Sequence, residues 1–551
     1  MRPFNLTAGL RKVLWVVFVI SFVLLVLYPV RLQVNVATIQ SLGTFSNLSY
    51  FALLFYLCVS SAVIIAFSSK NETECLVALL GVSWLMLDFW TTHAPIGLST
   101  DEFVNMGITR SILLHGAVGA TRQNSNLYLD YPLLFVLSAE ATRVMSVGGI
   151  SLSLLFSYLL SGVFVLELYV LLRSLLQTRQ ATGLAFLLAL FGNLLWFRFQ
   201  VYAPIQMGFV LLTVFVLIVV LHTRLSLVFV ASLGLTTAYL PTAVLALAIV
   251  AILTSAKLFG FNSRVGISTL AMLGTGLFAW NVFWAFTTFG GLLRLSSFAL
   301  TGGFPTGNLI QAAGNAFQVP LWAQVVQYGW IVVLDGGAFL LSIASMKSRK
   351  DLPWPVVLAI GGLLASILIG VASALSIGVS QWDRALYFTP LFAAPIMAFF
   401  VGKHIDQRKL SVLLVVIVLV SFPTFIVQSK SITTTVNHPS DLQIANFVGA
   451  HYSTQIQQIV VNNQLLGFLL YYLPLPNAAY LTLGPGSNLI INGSAFLHPG
   501  QIFLGSGTVD ATYAYLYGTN KTVTFLEGEQ AVTARGSLVY DSGQDYLSMP
   551  T

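Results

Sequence analysis

Charge is what this sequence has least of. Of 551 residues, 18 are acidic and 25 are basic, so charged residues make up 8%, where a soluble chain carries about 25%. A water-facing surface cannot be assembled from so few charges, so most of the exterior must face lipid. Cysteine is nearly absent too. Cys58 and Cys75 both fall in or beside apolar runs, which excludes a disulfide framework. Long basic runs are also missing. The net charge of +7 comes from lysines and arginines standing singly or in short groups between apolar runs. That is the loop pattern of membrane proteins, and no nucleic-acid partner is indicated. No cleavable leader is read, because the first apolar run is too long for a signal peptide and reads as a retained span.

What is present is hydrophobic sequence, 57% of the chain. Apolar runs fall at roughly 13–30, 49–68, 75–92, 152–172, 183–197, 205–221, 226–240, 241–256, 267–289, 321–346, 355–378, 385–402 and 410–427. Each is taken as one helical span, since a span needs about 20 apolar residues. The fold class is therefore mainly α, a polytopic membrane helix bundle of about thirteen spans. Runs 226–240 and 241–256 are short and meet at "AYLPTAV", where the proline can break a helix. With the N-terminus cytoplasmic and the pair kept separate, the cytoplasmic segments hold 15 of the 25 basic residues, as the positive-inside rule expects. Merging the pair would put "MKSRK" outside. Segments 93–151, 290–320 and 428–551 then share the outer side of the plasma membrane.

Residues 1–427 form the transmembrane unit, and 428–551 a small extracytoplasmic α/β domain. In the latter, "HPSDLQIANFVGAH" opens with a Ser440–Asp441 helix start, "QIQQIVVN" and "AAYLTL" read as strands, and "QLLGFLLYYL" as a helix. "SLVYDSGQDYLSM" reads as a hairpin around Ser542–Gly543, and Asn492 and Asn520 sit in glycosylation tripeptides.

Two of the scarce acids are adjacent, in "STDEFVNMGITRSILLHG". Ser99 and Glu102 fit a capping box, which accounts for Glu102 but less well for Asp101. The predicted helix carries Val104, Ile108 and Ile112 on one side and Glu102, Asn105 and Thr109 on another, the pattern of an interfacial helix. A second interfacial or half-inserted helix starts at Tyr131-Pro132 in "LYLDYPLLFVLSAEATRVMSVGG". A carboxylate at headgroup depth can take a proton from an acceptor hydroxyl.

Here the chain resembles the GT-C superfamily of integral-membrane glycosyltransferases, which take sugars from polyprenyl-phosphate carriers. The resemblance rests on the outward "TDEF", on "YPLL" about 30 residues later, and on "WDRALYFTPLFAAP" at a late span. Many short-looped spans and a C-terminal outer domain complete it, and the gross layout is most similar to archaeal members. The acidic pair follows the third span rather than the first, the loop motif is Tyr131-Pro132 rather than Pro-Pro, and "QWDRAL" is not an oligosaccharyltransferase motif. The resemblance therefore implies transfer of a monosaccharide, with inversion, from a polyprenyl-phosphate-linked sugar to a protein, lipid or glycan acceptor.

It also implies roles. Asp101 matches the base, and Glu102 orients it, positions the acceptor, or caps the helix. Outer arginines bind the leaving phosphate, since guanidinium pairs with phosphate bidentately. Arg384 with Tyr387 comes first, then Arg198 and Arg294, and Tyr131-Pro132 forms a substrate loop. No metal ligand set is assigned. A divalent cation is left open, with His93, Asp101 and Glu102 as its conceivable ligands. Two other functions compete. A secondary transporter would use Glu167 and the mid-span Asp335 as a coupling pair, although no internal repeat is found. A non-catalytic scaffold would use the acids only as caps.

Overall fold

A computed structural model describes residues 7–29, 48–93, 100–116, 118, 130–147, 149–176, 178–192, 202–221, 225–285, 325–326, 329–346, 352–376, 388–404 and 406–433, and strands at 458–462, 479–483, 501–506, 536–541 and 545–550. The helices are α1 (Ala8–Val26), α2 (Leu48–Ser68), α3 (Glu72–Leu87), α4 (Phe89–His93), α5 (Thr100–His115), α6 (Leu133–Met145), α7 (Gly149–Leu175) and α8 (Arg179–Gly192). They continue as α9 (Pro204–Val220), α10 (Leu225–Ala238), α11 (Leu240–Leu258) and α12 (Ile267–Phe283). A π-helical turn, Ile331–Gly336, leads into α13 (Gly337–Ser345), followed by α14 (Trp354–Ser376), α15 (Thr389–His404) and α16 (Gln407–Thr433).

Every predicted apolar run contains a helix. Among the described residues, five helices are long and apolar enough to cross a hydrocarbon core: Ala8–Val26, Leu48–Ser68, Ser151–Leu175, Leu240–Leu258 and Arg408–Val427. Five more apolar helices are shorter, among them Pro204–Val220, Leu225–Ala238 and Ile267–Phe283. The protein is a multi-pass integral membrane protein. The last helix runs to Thr433, six residues past the predicted end of the transmembrane unit.

Two opposite ends of the bundle can be traced from polar contacts. At one end Arg11 of α1 pairs with Glu74 of α3 at 3.6 Å, and Arg173 of α7 pairs with Glu72 of α3 at 2.9 Å. Both acids also lie in the first turn of α3, where they complement the helix dipole, and Asn71 caps that turn by accepting from the Thr73 N–H. This is the basic end. At the other end, Tyr202, just ahead of α9, is bonded to α5 and α6. Trp280 and Asn281, at the far end of α12, are bonded to Asp130 and Tyr131, just ahead of α6.

These bonds bear on the parity of the central helices. The start of α9 meets α6 at Ser138 and the end of α12 meets Asp130 and Tyr131 just ahead of α6, the arrangement that an even number of crossings between them gives. Helices α9 to α12 satisfy that only if α10 and α11 cross separately. The break is one residue long. Tyr239 is extended (φ −161°, ψ 115°), and Pro241 stands in the first turn of α11. Gly208 of α9 faces Thr242 and Tyr239, and a Cβ there would lie 3.0 Å from the Thr242 methyl. A larger residue would therefore push the start of α11 off α9.

The C-terminal strands β1 (Gln458–Asn462), β2 (Ala479–Leu483), β3 (Gln501–Ser506), β4 (Gly536–Asp541) and β5 (Asp545–Pro550) form one mixed sheet in the order β2-β1-β3-β5-β4. β1 pairs parallel with β2 and β3, while β5 pairs antiparallel with β3 and β4. The segments read as strands and hairpin are strands. β3, "QIFLGS", adds a strand where none was expected. The predicted helices at Ser440–Asp441 and "QLLGFLLYYL" lie outside the described residues, as do Asn492 and Asn520.

The parity has a direct test. Single cysteines replacing Lys70 or Arg408 should react with impermeant thiol reagent from one side of the membrane, and a cysteine replacing Ser99 or Asn308 from the other. Native Cys58 and Cys75 are buried and should stay silent. Labelling of Asn308→Cys from the Lys70 side would mean that α10 and α11 cross as one.

Candidate functional site

Helix α5 carries the acidic pair. Its polar stripe was predicted to face headgroups, and the structure corrects this. Glu102 and Asn105 are each 1% exposed and Thr109 is 3% exposed, while Ile108 and Ile112 are buried as well. Helix α5 is thus enclosed on both faces by other parts of the bundle. Buried polar groups need partners, and here several come from a residue about 100 positions away in sequence, which local periodicity cannot reveal.

That residue is Tyr202. Its side chain is fully buried, and its backbone carbonyl accepts from Asn105 Nδ2 at 2.8 Å. Its hydroxyl donates to Ser138 Oγ of α6 at 2.6 Å and lies 3.0 Å from Thr109 Oγ1. One side chain therefore fastens α5, α6 and the start of α9. Burial pushes the Tyr202 phenol up to about 12, helped by the nearby charge of Glu102 and opposed by the bonds to Ser138 and Thr109. The phenol keeps its proton at neutral pH and serves as a donor. The position of Tyr202 is itself fixed by the helix that follows it. Pro204 occupies the first turn of α9, and Gln206 Oε1 accepts from the Ala203 N–H at 3.4 Å.

A second tie closes the same end. Tyr131 is buried and its hydroxyl donates to Asn281 Oδ1 at 3.0 Å, while Trp280 Nε1 donates to the Asp130 carbonyl at 3.0 Å. Burial first, and the Asp130 charge second, push the Tyr131 phenol up. Pro132 precedes the first turn of α6 instead of lying within it. The Tyr131-Pro132 segment, predicted as a substrate loop, thus joins α6 to α12 through its tyrosine.

The other predicted site residues divide as follows. Asp101 belongs to the first turn of α5, next to buried Glu102. Its side chain lies outside the described set, as do Ser99, Arg198, Arg294, Arg384 and Tyr387. His93 is half-buried, its Nδ1 2.7 Å from the Phe89 carbonyl and its ring 4.2 Å from that of Phe89. Burial lowers its pKa, which favours neutral imidazole. Among the described residues, no three His, Cys, Asp or Glu side chains gather as a metal site.

Asp335 lies in the π-helical turn and accepts from Thr389 Oγ1 of α15 at 2.8 Å. Its partner is thus a hydroxyl, where the sequence left the partner open. Asp88 is a further buried acid, not assigned from the sequence. This buried residue ends α3 and accepts from Ser161 Oγ of α7 at 2.6 Å. Nothing in the apolar run around it marked it out.

Removing the Tyr202 hydroxyl tests the junction. A net hydrogen bond is worth about 0.5–1.5 kcal/mol. Tyr202→Phe should therefore lower stability by roughly 1–3 kcal/mol, read as earlier thermal unfolding in detergent. Asn105→Asp should cost more, because it sets an acceptor-only carboxylate against the Tyr202 carbonyl beside Glu102. Wild-type unfolding in both variants would show that α5 is held elsewhere.

No protein-family model matches the sequence, and no curated protein matches it. Solved structures do. The oligosaccharyltransferase of Archaeoglobus fulgidus, tethered with an acceptor peptide containing the NVT sequon, is 11% identical over 92% of this chain and 74% of its own, with a TM-score of 0.48. ArnT from Cupriavidus metallidurans, bound to undecaprenyl phosphate, is 11% identical over 91% of this chain and 98% of its own, also with a TM-score of 0.48.

Proposed function

We propose that this protein is a membrane glycosyltransferase that moves a monosaccharide from a polyprenyl-phosphate carrier to an acceptor at the α5 end of the bundle. The observation that carries the reading is the acidic first turn of α5, opposite the basic end and fastened by Tyr202. In a bundle with so little charge, two adjacent carboxyl residues at one such helix start are a costly placement that capping alone does not require. The chain is read as crossing the membrane thirteen times, with the N-terminus cytoplasmic. The α5 end, and the C-terminal domain of residues 428–551, are then extracytoplasmic.

In the proposed step, Asp101 takes the proton of the acceptor hydroxyl as its oxygen attacks the anomeric carbon. The bond from that carbon to the carrier phosphate breaks, and the configuration inverts. The electron pair leaves with the polyprenyl phosphate, whose developing charge an arginine neutralises. Arg384, with Tyr387 beside it, is the first choice for that cation, ahead of Arg198 and Arg294. Glu102 is a positioning residue in this scheme. It is buried beside Tyr202, so it acts on the acceptor through the placement of α5. The undecaprenyl phosphate bound by ArnT is the type of leaving group the scheme requires.

Substitution separates chemistry from capping. General-base catalysis is worth about 10²–10⁴ in rate. Asp101→Asn should lose that much turnover with a polyprenyl-phosphate sugar and a host-membrane acceptor, at normal expression. Glu102→Gln should retain more, because glutamine still completes a capping box. Near-normal transfer by Asp101→Asn would remove it as the base.

Loss of a charge-assisted hydrogen bond costs about 1.5–3 kcal/mol. Arg384→Ala should therefore weaken donor use roughly tenfold or more, and Arg384→Lys should restore only part, since the fork geometry is lost. Unchanged donor dependence would move the phosphate role to Arg198 or Arg294.

A further inference from the structure

Helices α2 and α16 touch along only part of their length. Toward the α5 end they are zipped by rings. Phe51 and Phe55 of α2 pack on Phe422 and Phe425 of α16 with centroids 5.2–6.1 Å apart, and the Tyr56 hydroxyl donates to the Leu419 carbonyl at 3.0 Å. Toward the basic end this ring packing stops, and the helices leave a groove of about 320 Å³ between them. Ser60, Val63 and Phe67 line one wall, and Ser411, Val415 and Val418 the other. The wall is apolar in effect, because Ser60 turns its hydroxyl back to the Tyr56 carbonyl of its own helix. From Ser60 to Phe67 the groove rises about 10 Å at 1.5 Å per residue, most of the depth of one leaflet's hydrocarbon, which is about 15 Å.

The mouth of the groove is basic. Lys70 follows the end of α2, and Arg408 and Lys409 occupy the start of α16, all three exposed. The acids near this end are engaged otherwise. Glu72 and Glu74 pair with Arg173 and Arg11. Asp406 Oδ1 accepts from the Lys409 N–H as a helix cap. Among the described residues none of the three cations makes an ion pair.

We infer that this groove is a binding site for an anionic glycerolipid of the basic-end leaflet, with one acyl chain between α2 and α16 and its headgroup phosphate on Lys70, Arg408 and Lys409. The apolar wedge fits a chain, and the cation cluster at its open end fits the charge of the headgroup. The site is at the opposite end of the bundle from α5 and does not depend on the proposed transferase activity.

The test is native mass spectrometry of the full chain released from nanodiscs of equal phosphatidylglycerol and phosphatidylcholine. Wild type should retain phosphatidylglycerol preferentially. A cation near an anionic headgroup contributes about fivefold in affinity. K70Q/R408Q/K409Q should therefore lose the preference while keeping its unfolding temperature. Val415→Trp, at a half-exposed groove position, should fill the wedge and reduce retention of both lipids. Equal retention of the two lipids by wild type would overturn the proposal. So would an unchanged preference in the triple variant, or displacement of the bound lipid by a short-chain polyprenyl phosphate. Retention of a second copy of the chain in place of lipid would make the groove a dimer contact and overturn it equally.

Discussion

The arrangement at the α5 end depends on one buried phenol. Tyr202 joins three segments that are far apart in sequence, and it does so with short neutral hydrogen bonds. In a lipid-facing protein this is an economical way to hold a functional surface. Apolar packing offers little direction where the solvent is itself apolar, so specificity of helix placement falls to hydrogen bonds and close contacts. A charged clamp would have to be desolvated, whereas a phenol, a hydroxyl and an amide are satisfied by one another. Tyr202, Asn105, Thr109 and Ser138, none of them charged, hold α5 by these bonds.

The basic end is built differently. There the contacts are exposed or half-exposed ion pairs, Arg11 with Glu74 and Arg173 with Glu72, where water and headgroups screen the charges. They contribute little stability, but they fix which helix ends share a face. The same end carries the cations that determined sidedness in the sequence. Charge thus does topological work at one end of the bundle, and buried neutral polarity does geometric work at the other.

The helices were legible because the lipid imposes their length and apolarity residue by residue, and every predicted run contains one. Their true extents were less legible. Several central helices are 14 to 17 residues long, and hydropathy alone does not show where such a helix stops. The candidate site was legible only as far as local pattern reaches. Glu102, Asn105 and Thr109 were seen as a stripe, yet the pattern could not say whether the stripe met water or protein. That depended on Tyr202, inside "QVYAP", which looks like any aromatic at a span end. Tyr131 stood out through its proline, while its partner Asn281 and the buried Asp88 lay unmarked in apolar runs.

The one-residue break at Tyr239 also bears on how the protein is made. The insertion machinery meets residues 225–258 as one nearly unbroken apolar stretch, with Tyr239 and Pro241 as its punctuation. Helix α10, at 14 residues, is short for a span, and α11 cannot turn back without it. The two helices would therefore enter the bilayer as a hairpin, each satisfying the other's placement before the downstream helices emerge. A single proline near the hairpin tip thereby bears on which side of the membrane the helices synthesised after it emerge.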